Sequence, residues 1–213
     1  MKPYELLIFD FDGTLVDTLP DIALYAHQVL GEFGVKTPPT LEAVKKAVGR
    51  GVHELLKDLG ISADQALLEE AVISFKRRYS ETPVVRTKPY PGVKETLSGP
   101  LGNIKKAIVT NKPYALTIKI LKELGLEIYF ETVIGLDTGY PAKPDASSVN
   151  FVMTHYGIPP SKVLFIGDSS IDAETSRNAG IDFAWVNYGY DRLNGVYQPK
   201  FEFSGAYEWK SLN

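Results

Sequence analysis

No cysteine occurs in the 213-residue chain. That absence removes thiolate metal sites, disulfide frameworks and thiol nucleophiles, and it is compatible with a reducing compartment. An excess of one charge is missing too. Against 26 Asp and Glu stand 23 Lys and Arg, a formal net charge of −3, which gives no long-range attraction for nucleic acid or anionic membrane. The opening Met1-Lys2-Pro3-Tyr4-Glu5 leads at once into an apolar stretch too short and acidic for a signal peptide or membrane span, so cytoplasmic residence is expected. The three histidines, His27, His53 and His155, are scattered, and nothing pairs them as a zinc site. There is no internal repeat or low-complexity stretch. What remains is an ordinary globular composition, 44% hydrophobic, sufficient for one good core and a small second one.

Within that composition the run Leu6-Leu7-Ile8-Phe9-Asp10-Phe11-Asp12-Gly13-Thr14 carries the most information. An apolar strand ends there in two carboxylates. Side chains repeat every second residue in a strand, so Asp10 and Asp12 share a face if extension persists to Asp12. Such a pair at the end of a buried strand suffers both repulsion and desolvation, and therefore asks for a cation. It also supplies a nucleophile beside a separate general acid and base. The plainer alternative is an Asp-x-Asp-Gly surface turn.

From Val85 to Val186 strand-like runs alternate with helical patterns, the signature of a parallel sheet covered by helices. Residues 6–11, 105–110, 132–134, 163–166 and 182–186 read as strands. Residues 91–98, 114–124, 146–156 and 172–179 read as helices, and Gly125, Gly157 and Gly180 are placed to end three of them. Ligands of open parallel sheets bind outside the carboxyl ends of the strands, where Asp10, Thr110 and Asp168 all fall. Residues 16–88 differ in texture. Thr18-Leu19-Pro20-Asp21 has the form of a capping box, an apolar helical face follows from Ile22 to Phe33, and further helical patterns cover 41–48, 52–59 and 64–79 with no strand evident.

Four segments resemble, in order, the signatures of the haloacid dehalogenase-like hydrolases. Leu6 to Thr14 is similar to the first, Val109-Thr110-Asn111-Lys112-Pro113 to the second and Lys143-Pro144-Asp145 to the third. Phe165-Ile166-Gly167-Asp168-Ser169-Ser170-Ile171-Asp172 is similar to the fourth. The resemblance implies an α/β fold: a Rossmann-like parallel sheet with helices on both faces, from residues 1–15 and 89–213. A small all-helical cap domain, residues 16–88, is inserted after the first strand, and its two adjacent linkers form a hinge. It implies a Mg²⁺-dependent phosphatase acting on a small phosphorylated metabolite. Asp10 is then the nucleophile that forms an aspartyl-phosphate, and Asp12 the general acid and base. Mg²⁺ is held by the carboxylates of Asp10 and Asp168 and the backbone carbonyl of Asp12. Thr110 and the amides at Gly13 and Asn111 meet the phosphate, Lys143 neutralises Asp10 and phosphate, and Ser169 and Asp172 support the metal side.

Several residues keep plainer readings at this stage. Thr14 is a hydroxyl donor or a turn cap, Thr110 a strand-packing residue, Asn111 a turn former, Lys112 a rival to Lys143, and Asp172 a helix N-cap. Gly49-Arg50-Gly51 resembles a loop of the family's phosphoglycolate phosphatases, in which Arg50 would read a second anionic group. Tyr190 after Gly189 fits that pattern as well, whereas Ala146 departs from a frequent proline. The aromatic tail through Phe201, Phe203, Tyr207 and Trp209 reads as packing or as an association surface, and the chain as a monomer or homodimer. Phosphoglycolate is the favoured substrate. A sugar-phosphate mutase resembling beta-phosphoglucomutase, a pyrophosphatase and a catalytically silent phosphate- or partner-binding module are the alternatives, while Asp12 argues against a dehalogenase.

Overall fold

A computed structural model describes residues 4–61, 64–191, 193 and 195–213. Met1-Lys2-Pro3, with which the leader reading and the expected core domain begin, lie outside the described residues. The chain forms two compact units, one of residues 1–17 with 89–213 and one of residues 18–88.

In the first unit the strands are β1 (Leu6–Phe9), β2 (Val16–Asp17), β3 (Lys88–Pro89, at the crossing between units), β4 (Lys105–Val109), β5 (Thr132–Ile134), β6 (Val163–Gly167), β7 (Asp182–Val186) and β8 (Phe201–Phe203). Six of them make one wholly parallel sheet in the order β5-β4-β1-β6-β7-β8. β1 is central, with Ile8 opposite Ala107 on one side and Phe165 on the other, and all four of its residues are fully buried. A strand covered on both faces has no polar alternation, which is why Leu-Leu-Ile-Phe is uniformly apolar. Leu6 and Ile8 join a core with Val149 and Val152 of helix α7 (Ser147–Tyr156) and Ala173 of helix α8 (Ser170–Ala179). On the opposite face Phe9 meets Phe130 at 6.0 Å and Trp209 at 5.3 Å between ring centroids. Burying each such large side chain contributes about 1.5–3 kcal/mol.

Two expectations change here. β8 adds a sixth strand within the aromatic tail, which packs onto the core through Trp209, fully buried in a 3₁₀ helix. β1 also stops at Phe9 rather than continuing to Phe11. Asp10 N–H still donates to Ile166 O (3.0 Å), but Leu15 and Val16 N–H then turn back onto Phe11 O at 3.1 and 3.2 Å. Asp12 is therefore carried by a turn, not by the strand face.

The second unit is helical: α1 (Leu19–Glu32), α2 (Leu41–Ala47), α3 (Val52–Asp58) and α4 (Gln65–Glu81). On α4, Leu68, Ala71, Val72, Phe75 and Tyr79 form one buried stripe at helical spacing, and Tyr79 packs on Tyr25 of α1 with centroids 5.4 Å apart. Thr40 and Asp64 cap α2 and α4 through the N–H groups of Ala43 and Leu67. The capping box read at Thr18 is not formed, because Thr18 makes no side-chain cap. Asp21 is instead drawn to the returning chain, accepting from the N–H groups of Val85, Arg86 and Thr87 (2.8–3.0 Å) and from the Thr87 hydroxyl (2.7 Å). Burial alone would raise its pKa, but these donors outweigh it and hold Asp21 below the usual carboxylate range. Replacing Asp21 by Ala should cost about 2–3 kcal/mol, the scale of charge-assisted hydrogen bonds lost with their donors stranded. Denaturant unfolding followed by circular dichroism measures this, and a loss within experimental error would remove Asp21 as the fastener of this unit.

Candidate active site

The loops that leave β1, β4, β5, β6 and β7 at their carboxyl ends carry the sequence-predicted residues of the first unit into one cluster. Asp10 follows β1 directly, and Lys143 Nζ lies 2.8 Å from its Oδ1. The same ammonium lies 2.6 Å from Asp172 Oδ1, and the lysine side chain is 3% exposed. Lys112, weighed as a rival to Lys143, has a different partner. Its Nζ bonds both carboxylate oxygens of Asp12, at 3.0 and 3.1 Å. The two lysines thus divide between the two aspartates. Thr110 N–H ends the ladder on Ile134 O, and its hydroxyl accepts from Lys112 N–H at 3.2 Å. Asn111 fastens the Lys143 loop: its side-chain oxygen accepts from Lys143 N–H at 2.8 Å and its amide donates to Lys143 O at 3.1 Å.

Asp168, one residue beyond β6, is held from several directions. Oδ1 accepts from the Thr14 hydroxyl (3.1 Å), Oδ2 from Tyr190 N–H (2.7 Å), and the backbone oxygen from the Trp185 indole N–H (3.1 Å). Two glycines make room for it. A Cβ on Gly13, whose φ is +83°, would come within 2.4 Å of Asp168 Oδ2, and one on Gly189 within 2.2 Å of Asp168 Cβ. Around this aspartate the Tyr188 hydroxyl donates to Thr14 O (2.9 Å), the Tyr190 hydroxyl to Asp17 (3.1 Å), and Tyr188 packs on Tyr90 at 4.6 Å. Burial raises the hydroxyl pKa values of Tyr90 and Tyr188, so both remain neutral.

Asp172 is not the N-cap. Ser169 caps α8, which starts two residues earlier than its periodicity predicts, and Asp172 is the third helical residue of a capping box. Its Oδ2 accepts from Ser169 N–H and Oγ at 3.1 and 2.7 Å, while Oδ1 faces Lys143. Sequence reasoning missed the Trp185 and Tyr188 contacts and the division of the lysines. The aromatics flanking Gly189 were the available signal. Arg50 belongs to the other unit, where it is paired with the Asp58 carboxylate rather than standing as a bare cation. There too His27 bonds Pro39 O and His53 bonds Glu69, while in the first unit His155 stacks on Phe151.

Among the described residues, Asp10, Asp168 and Asp172 form the one group of carboxylates that could hold a metal, with an oxygen of each within 4.8 Å of the others. Asp10 Oδ1 is buried and, although close to Lys143, lacks an aligned hydrogen bond. Burial pushes Asp10 up to about 7 against the pull of Lys143, with Asp172 adding to the rise. Burial, then the charges of Asp172 and Asp10, pushes Asp168 well above the ordinary range. An all-oxygen set with a spare buried lone pair on Asp10 fits a hard divalent cation; Asp172 is already committed to an ammonium and a helix cap, whereas each oxygen of Asp168 accepts one neutral donor.

A family model for the haloacid dehalogenase-like hydrolases matches residues 7–186. The chain belongs to that family. It is 36% identical over 202 residues to a phosphoglycolate phosphatase of Nitrosospira multiformis, covering 92% of this chain and 88% of that one. To a phosphoglycolate phosphatase of Aquifex aeolicus it is 37% identical over 201 residues, covering 94% and 92%. The crystal structure of a predicted phosphoglycolate phosphatase from Haemophilus somnus superposes with a TM-score of 0.91 at 25% identity, covering 100% of this chain and 99% of that one. The chain is a phosphatase of this hydrolase family, phosphoglycolate phosphatase-like in sequence. No helix among the described residues is long and apolar enough to cross a membrane.

A carboxyl whose folded pKa lies above its unfolded value binds its proton more tightly in the fold. The stability it contributes is complete below the unfolded value and is lost as pH rises through the folded one. Chelator-treated protein should therefore lose stability as pH climbs from the ordinary carboxylate range to about 7, the value for Asp10. A divalent cation replaces those protons, so it should raise the melting temperature more near about pH 8 than near about pH 5. Calorimetry at both pH values checks this, and equal gains would place the cation elsewhere.

Proposed function

We propose that this phosphatase hydrolyses a small phosphate monoester, with 2-phosphoglycolate the favoured substrate, through an aspartyl-phosphate on Asp10 and with Mg²⁺ as cofactor. The observation that carries the proposal is the contrast between two neighbouring aspartates. Asp10 Oδ1 is buried with no neighbour to answer it but the Lys143 ammonium 2.8 Å away, while both oxygens of Asp12 are held by Lys112. One oxygen is available to attack, and the other carboxylate is oriented separately.

Phosphoryl transfer asks a protein mainly for positioning and charge stabilisation. In the first step Asp10 oxygen forms a bond to phosphorus as the bond to the leaving oxygen breaks. That oxygen keeps the electron pair and takes a proton from the Asp12 carboxyl. In the second, Asp12 accepts a proton from water as its oxygen bonds phosphorus and the bond to Asp10 breaks, releasing inorganic phosphate. Lys143 lowers the repulsion between Asp10 and the incoming phosphate, and the Thr110 hydroxyl with the amides at Gly13 and Asn111 receives the phosphate oxygens. Asp10, Asp168 and the backbone carbonyl of Asp12 would hold Mg²⁺, which when bound neutralises phosphate charge. Ser169 and Asp172 fix Lys143 and the start of α8. In this reading residues 16–88 are the cap, the two chain crossings are its hinge, and the enzyme works in the cytoplasm as a monomer or homodimer.

The substrate assignment is supported by the names of the relatives and by Arg50, set between Gly49 (φ +110°) and Gly51 (φ +91°) in the helical unit. Its exposed pair with Asp58 is of the kind worth at most about 1 kcal/mol, so a substrate carboxylate can compete for it. Three outcomes are expected. Asp10→Asn should abolish phosphate release from every member of a panel of phosphoglycolate, sugar phosphates, nucleotides and pyrophosphate. Asp12→Asn should lower turnover of unactivated esters about 10²–10⁴-fold. Arg50→Ala should lose about 1.5–3 kcal/mol of selectivity for phosphoglycolate over a neutral aryl phosphate, measured as the ratio of kcat/KM values. Near-normal turnover by Asp10→Asn defeats the covalent route. Equal losses on both substrates defeat the role of Arg50, and a preference for pyrophosphate or phosphoryl transfer to a sugar replaces the substrate class.

A further inference from the structure

Lys112 is built into the site more firmly than a solvent-facing lysine would be. Its side chain is 4% exposed, and its ammonium bonds both oxygens of Asp12 at 3.0 and 3.1 Å. Its backbone is fixed as well. Lys112 N–H donates to the Thr110 hydroxyl (3.2 Å), and Lys112 O accepts from Leu136 N–H (3.1 Å). The strand β5 loop can approach that closely because residue 135 is glycine, where a Cβ would come within 2.8 Å of Lys112 O and 2.4 Å of Tyr114 N. A buried lysine anchored at both its backbone and its ammonium has given up the rotamer freedom that long side chains ordinarily keep.

We propose that Lys112 is a positioning residue for Asp12: it aims the carboxyl that delivers the proton to the leaving oxygen, and does not itself bind the phosphate. The inference rests on the roles proposed above for Asp10 and Asp12. An ammonium centred on both oxygens fixes the rotation of the carboxyl about its last torsion, which neighbouring apolar side chains would leave free. Proton delivery depends on that aim to within a fraction of an ångström, whereas attack by Asp10 does not pass through Asp12. The consequence is specific to the leaving group. Esters of poor leaving groups need the proton as the bond to phosphorus breaks, and esters of strongly acidic phenols do not.

The test compares wild type, Lys112→Met, Asp12→Asn and the double variant on 2-phosphoglycolate and on 2,4-dinitrophenyl phosphate. It reads kcat/KM, which covers steps only through release of the first product and so excludes hydrolysis of the acyl-phosphate. Lys112→Met should lower kcat/KM for the alkyl ester by about tenfold or more, part of the 10²–10⁴ that acid–base catalysis supplies, and leave the dinitrophenyl ester within about threefold. In the Asp12→Asn background the same change should add little on either ester, because its target is gone. Equal losses on both esters in the single variant, or an undiminished loss in the Asp12→Asn background, would assign Lys112 to the phosphate or the fold and overturn the proposal. The dinitrophenyl ester reports folding directly, since a collapsed site fails on it too. A wild type inactive on both esters, or an Asp12→Asn variant as active as wild type on 2-phosphoglycolate, would refute the roles of Asp10 and Asp12 instead, so the two failures are distinguishable.

Discussion

Repulsion among Asp10, Asp168 and Asp172 is the constraint on which this end of the sheet depends. Oxygens of all three lie within 4.8 Å of one another, and all three residues are buried. Such a group is unstable unless each charge is answered. Lys143 answers two at once, with contacts of 2.8 and 2.6 Å, and itself stays charged because Asp10 and Asp172 outweigh the cost of its burial. Asp172 is further satisfied by the capping box of α8, so a helix start and an ion pair share one carboxylate. Asp168 is answered only by neutral donors, from Thr14 and Tyr190. One ammonium thus stands against three carboxylates, and that unbalanced negative charge is the physical case for a cation.

The scaffold explains why so many functional groups meet. β1 sits in the middle of a wholly parallel sheet, and the loops after β1, β4, β6 and β7 open at the same edge. Burying Leu6 to Phe9 on both faces fixes where Asp10 emerges, and the turn anchored on Phe11 O fixes Asp12. Glycines at 13 and 189 then let backbone close around Asp168 at distances no other residue permits. Stability and chemistry are connected at this edge: the interactions that hold the loops are the ones that orient the carboxylates.

Much of this was legible in the sequence because it follows from period and order. Alternating apolar runs and helical stripes gave the parallel sheet, and strand polarity alone put Asp10, Thr110 and Asp168 at one edge. The parts that were hidden depend on partners distant along the chain. Asp21 abandons the box at Thr18 for donors 64 to 66 residues away. Lys112 and Asp12 are 100 residues apart, and a long side chain's choice between two acids is settled by packing, not by spacing. β8 arises within an aromatic tail whose packing was legible but whose place was not, since Trp209 seals the face beneath Phe9, a partner at the other end of the chain. The clasp between Asn111 and Lys143 likewise joins residues 32 positions apart that were read separately, one as a turn former and one as a charge.

The central proposal, that Asp10 carries the phosphoryl group, is open to direct chemical capture. Enzyme turning over an activated aryl phosphate is quenched in acid, treated with borohydride, which reduces an acyl-phosphate to an alcohol, and digested for peptide mass spectrometry. The account predicts homoserine at position 10 in the substrate-treated sample and unmodified Asp10 in the control without substrate. Reduction at a different carboxylate, or none while turnover proceeds with a burst of released phenol, would contradict it.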